Sequence, residues 1–458
     1  MIFKQYREII TLATPIIALQ LAQVALISTD LLMLGLISIE AIAAGGLALV
    51  LYNQVRTMCV GMVTGLGNLV AVAIGKGETR TNNTDLDNTT IEEVQNLIRA
   101  GLLLATITAI VAIVFISMLT NFLTYFGQNE IIATLAKPIM LALAPGLLPM
   151  LWLNVLRQFA VGMRRAGSLL LVTLISVALN AVLNLIFIYG WFGLPCLGLV
   201  GIGLATTIVN FCIFFIYLRT VMLDHILNKL ISLNLFRAKR ETVIHLAKIG
   251  MPISLTYGSE AAITSIATIF MGTFGPIALA ASNIVNQLAY IVYQFNIGLS
   301  HGSSILVSRA IGKGETNKIR DIALHSFTLS FSIMAIIALF YIAIPNLILE
   351  PFLGGDNTDS AVLAIATSLL WFAIAHQYFK GSQNILIGLL RGLGNTKAGF
   401  NTTIVGYWIV GIPAMGICGY WLTWESYGIW FGLCLGFAVT SVLLAWCFVR
   451  LLKSREQQ

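Results

Sequence analysis

Two acidic side chains, Asp30 and Glu260, stand inside long apolar runs. A carboxylate taken out of water either holds a proton or needs a cation beside it. Each is therefore read as a proton carrier or a cation ligand, and oxygen-rich neighbours would also suit a hard cation such as Na+. The polar residues around them repeat at helical spacing. Gln20, Gln23 and Asp30 share one face; Thr173, Ser176, Asn180 and Asn184 form a stripe; Tyr257, Glu260, Thr264 and Thr268 repeat that spacing. Asn283, Asn286, Tyr290 and Tyr293 lie within one sector, and His376, Lys380 and Gln383 make a further polar face late in the chain. Of these, Gln23, Asn180, Asn184, Tyr257, Asn286, Tyr293, His376 and Gln383 are the candidates to line a substrate path. The Asn, Ser and Thr stripes serve equally well as hydrogen-bond glue between helices. Lys380 lies mid-run, too far from either end to reach water, and pairing with Glu260 would satisfy both charges. Arg56 either faces inward towards Asp30 or is merely packed, whereas Lys137 sits near a run's end and can snorkel. His301 and His376 either titrate near neutral pH or are structurally satisfied.

The elements holding these groups follow from composition. Of 458 residues, 58% are hydrophobic and 10% charged, against about a quarter charged in soluble domains; mean hydropathy is +0.91. This describes an all-α polytopic membrane protein. Apolar runs long enough to cross a bilayer number twelve, with cores at 9–37, 42–74, 94–119, 131–155, 168–190, 197–219, 246–273, 277–311, 322–349, 360–388, 398–420 and 426–450. If the runs alternate direction, 23 of the 26 Lys and Arg residues fall at one face, among them Arg157 between spans 4 and 5 and Arg391 between spans 10 and 11. The other face carries acids, including Glu130, Glu350, Asp356 and Glu425. Positive-inside bias then puts both termini in the cytoplasm. The net charge of +7 reads as this bias rather than as a nucleic-acid surface. Cys59, Cys196, Cys212, Cys418, Cys434 and Cys447 all lie in apolar runs without metal-ligand spacing. The sequons at Asn82, Asn88 and Asn401 fall in segments assigned to the cytoplasm.

The chain is a duplication. Shifted by 237 residues it aligns on itself without a gap from Pro15 to Glu78: Pro15 falls on Pro252, Gly35 on Gly272, Gly61 on Gly298 and Gly65 on Gly302. The match closes on AIGKGE, at Ala73–Glu78 and Ala310–Glu315. Each copy is expected to end a helix, with Gly as cap and Lys against the negative dipole end; the Ser/Thr of a phosphate loop is missing. The expected division is an N-lobe at 1–219 (spans 1–6), a cytoplasmic linker at 220–245 and a C-lobe at 246–458 (spans 7–12). The copies start on the same side and so form a parallel repeat, a plan that places transporter sites between halves. The partner of the first span lies mid-chain, which argues against a signal peptide at the N-terminus.

The motifs STDLLMLG, RQFAVGMRRAG, LNAVLNLIFIYG, LGLVGIGLATTIVN, GMPISLTYGSE and QNILIGLLRGLGNTKAGF, spread over the whole chain, resemble the multidrug and toxic compound extrusion (MATE) transporters in their NorM-like branch. The resemblance implies twelve helices in two six-helix lobes, arranged as a V, that rock between outward-open and inward-open states. It implies no cofactor and export of amphipathic organic cations by a monomer, in exchange for H+ or Na+. It maps Asp30 on the N-lobe acid, and Asn180 and Asn184 on the asparagines typical of that branch. Glu260 maps on the acid of the C-lobe cation site, with Tyr293 as its aromatic neighbour, a possible Na+ site. The family's usual Asp of span 10 falls on Lys380, whose ammonium would stand where Na+ compensates Glu260; Asp30 then becomes the better coupling group, to protons. A flippase for lipids or lipid-linked sugars is the alternative and would need a strongly cationic cavity for phosphates. An intramembrane enzyme lacks its motifs: there is no HExxH and no paired catalytic Asp.

Overall fold

Apolar residues without strand-like alternation leave the backbone one way to satisfy its polar groups in lipid, the helix. The computed structural model describes residues 2–35, 37, 39–81, 86–123, 130–165, 168–193, 196–352 and 359–456; Asn82 and Asp356, read above, lie outside them. The first six helical segments are α1 (Ile2–Gly35), α2 with α3 (Ile39–Thr64, Leu66–Arg80), α4 (Asn88–Leu119), α5 with α6 (Glu130–Leu143, Leu147–Gly162), α7 (Ser168–Tyr189) and α8 (Gly198–Leu223). After short α9 (His225–Leu230) come α10 (Arg240–Gly272), α11 (Pro276–Lys313), α12 (Asn317–Ala343), α13 (Pro345–Leu349) and α14 (Asp359–Gly392). Next, α15 (Thr396–Thr403), the π-helical turns Ile404–Gly411 and Ile417–Trp421 and α16 (Ile412–Gly416) between them form one continuous rod, before α17 (Glu425–Glu456). Among the described residues these make twelve long helical segments, a number consistent with the twelve spans expected from the sequence. Ten are long and apolar enough to cross a membrane; the other two, α10 and α11, carry the Glu260 and Asn286 stripes.

Boundaries differ where local chemistry decides them. Span 9 stops at Ala343, because Ile344 precedes a proline and leaves the helical region at φ −138°. Spans 4 and 10 run further than expected, so Arg157 and Arg391 lie inside helices and are buried, 8% and 3% exposed, rather than in loops. Asn401 lies within α15, also not in a loop. The two AIGKGE copies end differently. Gly314 caps α11 in the left-handed conformation, φ 74°. Gly77 instead stays helical and packs on Thr90, and α3 continues to Arg80. Arg80 pairs with Asp87 at 3.0 Å. Asp87 caps α4, and the hydroxyls of Thr89 and Thr90 hold its carboxyl down at about 2.

The chain forms two compact units, Ala18–Leu255 and Met1–Ile17 with Thr256–Gln458. In the first, the connection after α8 is tied to α4: Arg99 donates to Ser232 at 2.7 Å and Asn96 to Thr242 at 2.8 Å. In the second, Trp430, Tyr407 and Phe437 lie at the centre of the core among Ile263, Leu369 and Leu433.

The repeated glycines have a packing reason. Gly61 near the end of α2 and Gly65, which joins α2 to α3, form a GxxxG face against α10, where a methyl on Gly61 would lie 2.5 Å from Ser254 Cα. In the other unit, Gly298 and Gly302 on α11 face α1, where a methyl on Gly298 would lie 2.8 Å from Ile17 N. Ile17 and Ser254 are themselves partners in the repeat. Small residues let backbones touch, and membrane helices gain their association energy from such packing. Gly61→Ala and Gly298→Ala should each cost about 1–3 kcal/mol, read as a lower unfolding temperature of the purified protein. Gly46→Ala, with open space around it on the same α2, should not lower it.

Candidate functional site

Each unit buries a cluster of groups around an acid, and the two clusters differ in kind. In the Ala18–Leu255 unit, Asp30 of α1 is 2% exposed. Asn180 and Asn184 come from one face of α7, four residues apart, and both donate to Asp30 Oδ1, at 2.6 and 2.8 Å. Thr206 of α8 donates to Asp30 Oδ2 at 3.3 Å. The amide nitrogens face the carboxylate, the arrangement of donors that a bare carboxylate needs. The Oδ1 of Asn184 is buried without a hydrogen-bond partner. Beside this cluster lies a cavity of about 70 Å³ lined by Gln23, Asp30, Tyr52, Arg56 and Arg157 among others. That volume admits water or a small group, well short of the roughly 300 Å³ or more of a drug-sized pocket. Arg56 does face inward with Asp30, but it donates to Asn53 Oδ1 at 3.0 Å and makes no ion pair among the described residues.

In the other unit, Glu260 of α10 is 8% exposed and Lys380 of α14 is 6% exposed. Lys380 Nζ lies 2.8 Å from Glu260 Oε1, the pairing expected from the sequence. Gln383, one turn further along α14, donates to the same oxygen at 3.0 Å, and Tyr293 OH of α11 donates to Oε2 at 3.0 Å. Tyr407, in the first π-helical turn, accepts hydrogen bonds from Lys380 (3.3 Å) and from Gln383. The ammonium also sits 4.4 Å from the Phe437 ring centre and 5.4 Å from that of Tyr293, within cation–π reach. Both charges are thus compensated inside the protein.

The remaining predicted residues separate from these clusters. His376 packs edge-on against Phe437 at 4.9 Å and against Trp430, and its Nδ1 has no hydrogen-bond partner. Tyr257 accepts from Arg391, which also contacts Ser304 and His301. Asn286 is half-buried on α11 and makes no hydrogen bond to the Glu260 cluster. Lys137 reaches Asn121 at 2.8 Å near the end of its span. The sequence reading missed Thr206, Tyr52 and Arg157 in one unit and Tyr407 and Phe437 in the other. Thr206 stands inside the quoted motif LGLVGIGLATTIVN. Tyr407 and Phe437 carry no polar stripe that would single them out.

The MatE family profile matches residues 15–186 and again 252–415, opening at the two prolines that open the internal repeat. The chain is 32% identical over 450 residues to a probable multidrug resistance protein NorM of Pseudomonas aeruginosa, covering 97% of this chain and 89% of that one. A NorM of Pseudomonas putida is also 32% identical, over 97% of this chain and 94% of its own. Among solved structures, an outward-facing multidrug resistance MATE transporter superposes with TM-score 0.86 over 99% of this chain and 97% of its own, at 18% identity. The eukaryotic MATE transporter AtDTX14 does so with TM-score 0.83 over 100% of this chain and 99% of its own, at 17% identity.

A buried pair makes one sharp energetic demand. Removing Lys380 strands an acid in a dry site, at a cost of about 3–5 kcal/mol. Lys380→Met should therefore lower the unfolding temperature more than the double variant Glu260→Gln/Lys380→Met. Scanning fluorimetry of the detergent-solubilised protein measures both, and equal losses would contradict the pairing.

Proposed function

This chain belongs to the MatE family, and from that premise we propose that it is a multidrug efflux antiporter exchanging amphipathic organic cations for protons across a bacterial inner membrane. The observation that carries the choice of proton is the Lys380 ammonium 2.8 Å from Glu260. A tethered cation already compensates the acid that would otherwise hold Na+, and Tyr293 and Gln383 also donate to that carboxylate. Asp30 is left as the buried carboxylate with hydrogen-bond donors around it and no cation in contact.

The cycle follows from electrostatics. With both termini cytoplasmic, deprotonated Asp30 attracts a cationic substrate entering from inside. A proton arriving from outside neutralises Asp30 and removes that attraction, so the substrate leaves outward. The protonated carboxyl needs an acceptor for its O–H, and the unpartnered Oδ1 of Asn184 can supply one after an amide turn. Alternating access then requires only that substrate and proton favour opposite-facing states. One chain carries both repeats, so a monomer suffices.

In proteoliposomes, an imposed proton gradient should drive uptake or release of the cation rhodamine 6G, and a Na+ gradient alone should not. Asp30→Asn should reduce driven transport by about tenfold or more, the loss of at least one charge-assisted contact. Lys380→Asp should introduce Na+ dependence. Sodium-driven transport by the unaltered protein, or full transport by Asp30→Asn, would overturn the assignment.

A further inference from the structure

The cavity beside Asp30 carries more positive charge than a cation exporter needs. Arg56 and Arg157 both line it, with Asp30 as the one carboxylate on its wall. Neither arginine forms an ion pair among the described residues, and Asp30 is engaged by Asn180, Asn184 and Thr206 instead. Arg157 is 8% exposed and its Nε has no hydrogen-bond partner. Tyr52, 4% exposed on the same wall, has a hydroxyl without a partner. Buried guanidinium groups without a counter-charge are costly, and an anion between them would relieve that cost.

The internal repeat gives an independent reason. The alignment that pairs Pro15 with Pro252 also pairs Gln23 with Glu260 and Arg56 with Tyr293. In one unit these positions hold an acid and the hydroxyl bonded to it. In the other they hold an amide and a cation, and both line the cavity. The duplicated site has therefore changed sign, from one built around a carboxylate to one able to receive a carboxylate.

We propose that Arg56 and Arg157 form an anion subsite that takes the carboxylate of a transported compound whose cationic end competes with the proton at Asp30. Arginine suits this role, since its planar donors match a carboxylate's two oxygens, and the Tyr52 hydroxyl adds a further donor. The preferred substrates are then amphipathic cations that also bear a carboxylate. The cavity of about 70 Å³ matches that group in size, and the cationic end reaches Asp30 only when the site opens during the cycle. This inference rests on the export reading above.

The test uses a matched pair of dyes with one fluorophore: rhodamine 19, a free carboxylic acid, and rhodamine 6G, its ethyl ester. Transport of both is measured in proteoliposomes of the full chain under a proton gradient. The acid should show the lower KM. Arg157→Gln and Arg56→Gln should each raise the KM of the acid about tenfold or more, as expected for a lost charge-assisted contact. Both should raise the KM of the acid by a clearly larger factor than that of the ester, and Arg157→Lys should recover part of the loss. Arg56, less buried than Arg157, provides the readout should Arg157→Gln fail to insert. Equal losses for acid and ester would assign the arginines a structural role and overturn the subsite. So would ester transport that collapses when chloride is replaced by gluconate, since a resident inorganic anion would then fill the cavity. Absence of ester transport by the unaltered protein would instead defeat the export reading itself.

Discussion

The cost of removing a charge from water governs this molecule. Each ion buried in a low-dielectric interior loses several kcal/mol of hydration, and only close, well-oriented partners return it. Glu260 and Lys380 meet that demand inside the protein: the ammonium touches one carboxylate oxygen, a phenol the other, and aromatic faces surround the cation. The surrounding elements serve this geometry. The π-helical turn that carries Tyr407 runs up to Pro413, which cannot donate to the helical ladder, and π-helical turns are frequent where a side chain must be re-aimed for function. Gly406 lies in the same turn, where a methyl group would collide with Thr440 of α17; its absence lets the rod approach α17.

Asp30 solves the same problem differently. Among the described residues no ammonium pairs with it; amides from one face of α7 and a hydroxyl of α8 donate to it. Neutral donors stabilise a carboxylate less completely than a cation does. A chain with two buried acids can thus use one as fixed structure and the other as a moving part. What separates them is whether a permanent positive charge lies within hydrogen-bond distance.

Much of this was legible in the sequence because its signals are periodic. Twelve spans, the repeat and the facing stripes of α1, α7 and α14 all follow from spacing and apolarity. The Glu260–Lys380 pair was readable because a mid-span lysine has almost no alternative. Arg157 and Arg391 were misplaced for the converse reason. A basic residue near the end of an apolar run looks like a loop residue, and only the continuation of the helix shows it to be buried. The first AIGKGE looked like a helix end for the same local reason; contact of Gly77 with Thr90 and the pairing of Arg80 with Asp87 let α3 go on. Tyr407 and Phe437 were invisible because aromatic residues in an apolar run announce nothing until a cation is found beside them.

The repeat explains why two units of one ancestry need not do one job. Its constraint is strictest where backbones touch: Gly61 against Ser254 and Gly298 against Ile17 are the same contact made twice, and a side chain at either glycine would push helices apart. Positions that line interior space are freer, because a changed side chain there can be answered by a changed neighbour. Asp30 falls on Ala267 and Glu260 on Gln23 in the gapless alignment, so neither acid survives in both copies. Duplication supplied the scaffold twice, and the interior of each copy then acquired its own charge pattern. One became a closed, self-neutralised pair and the other a site with donors and cations still unsatisfied. The two copies thus differ in charge pattern within one chain.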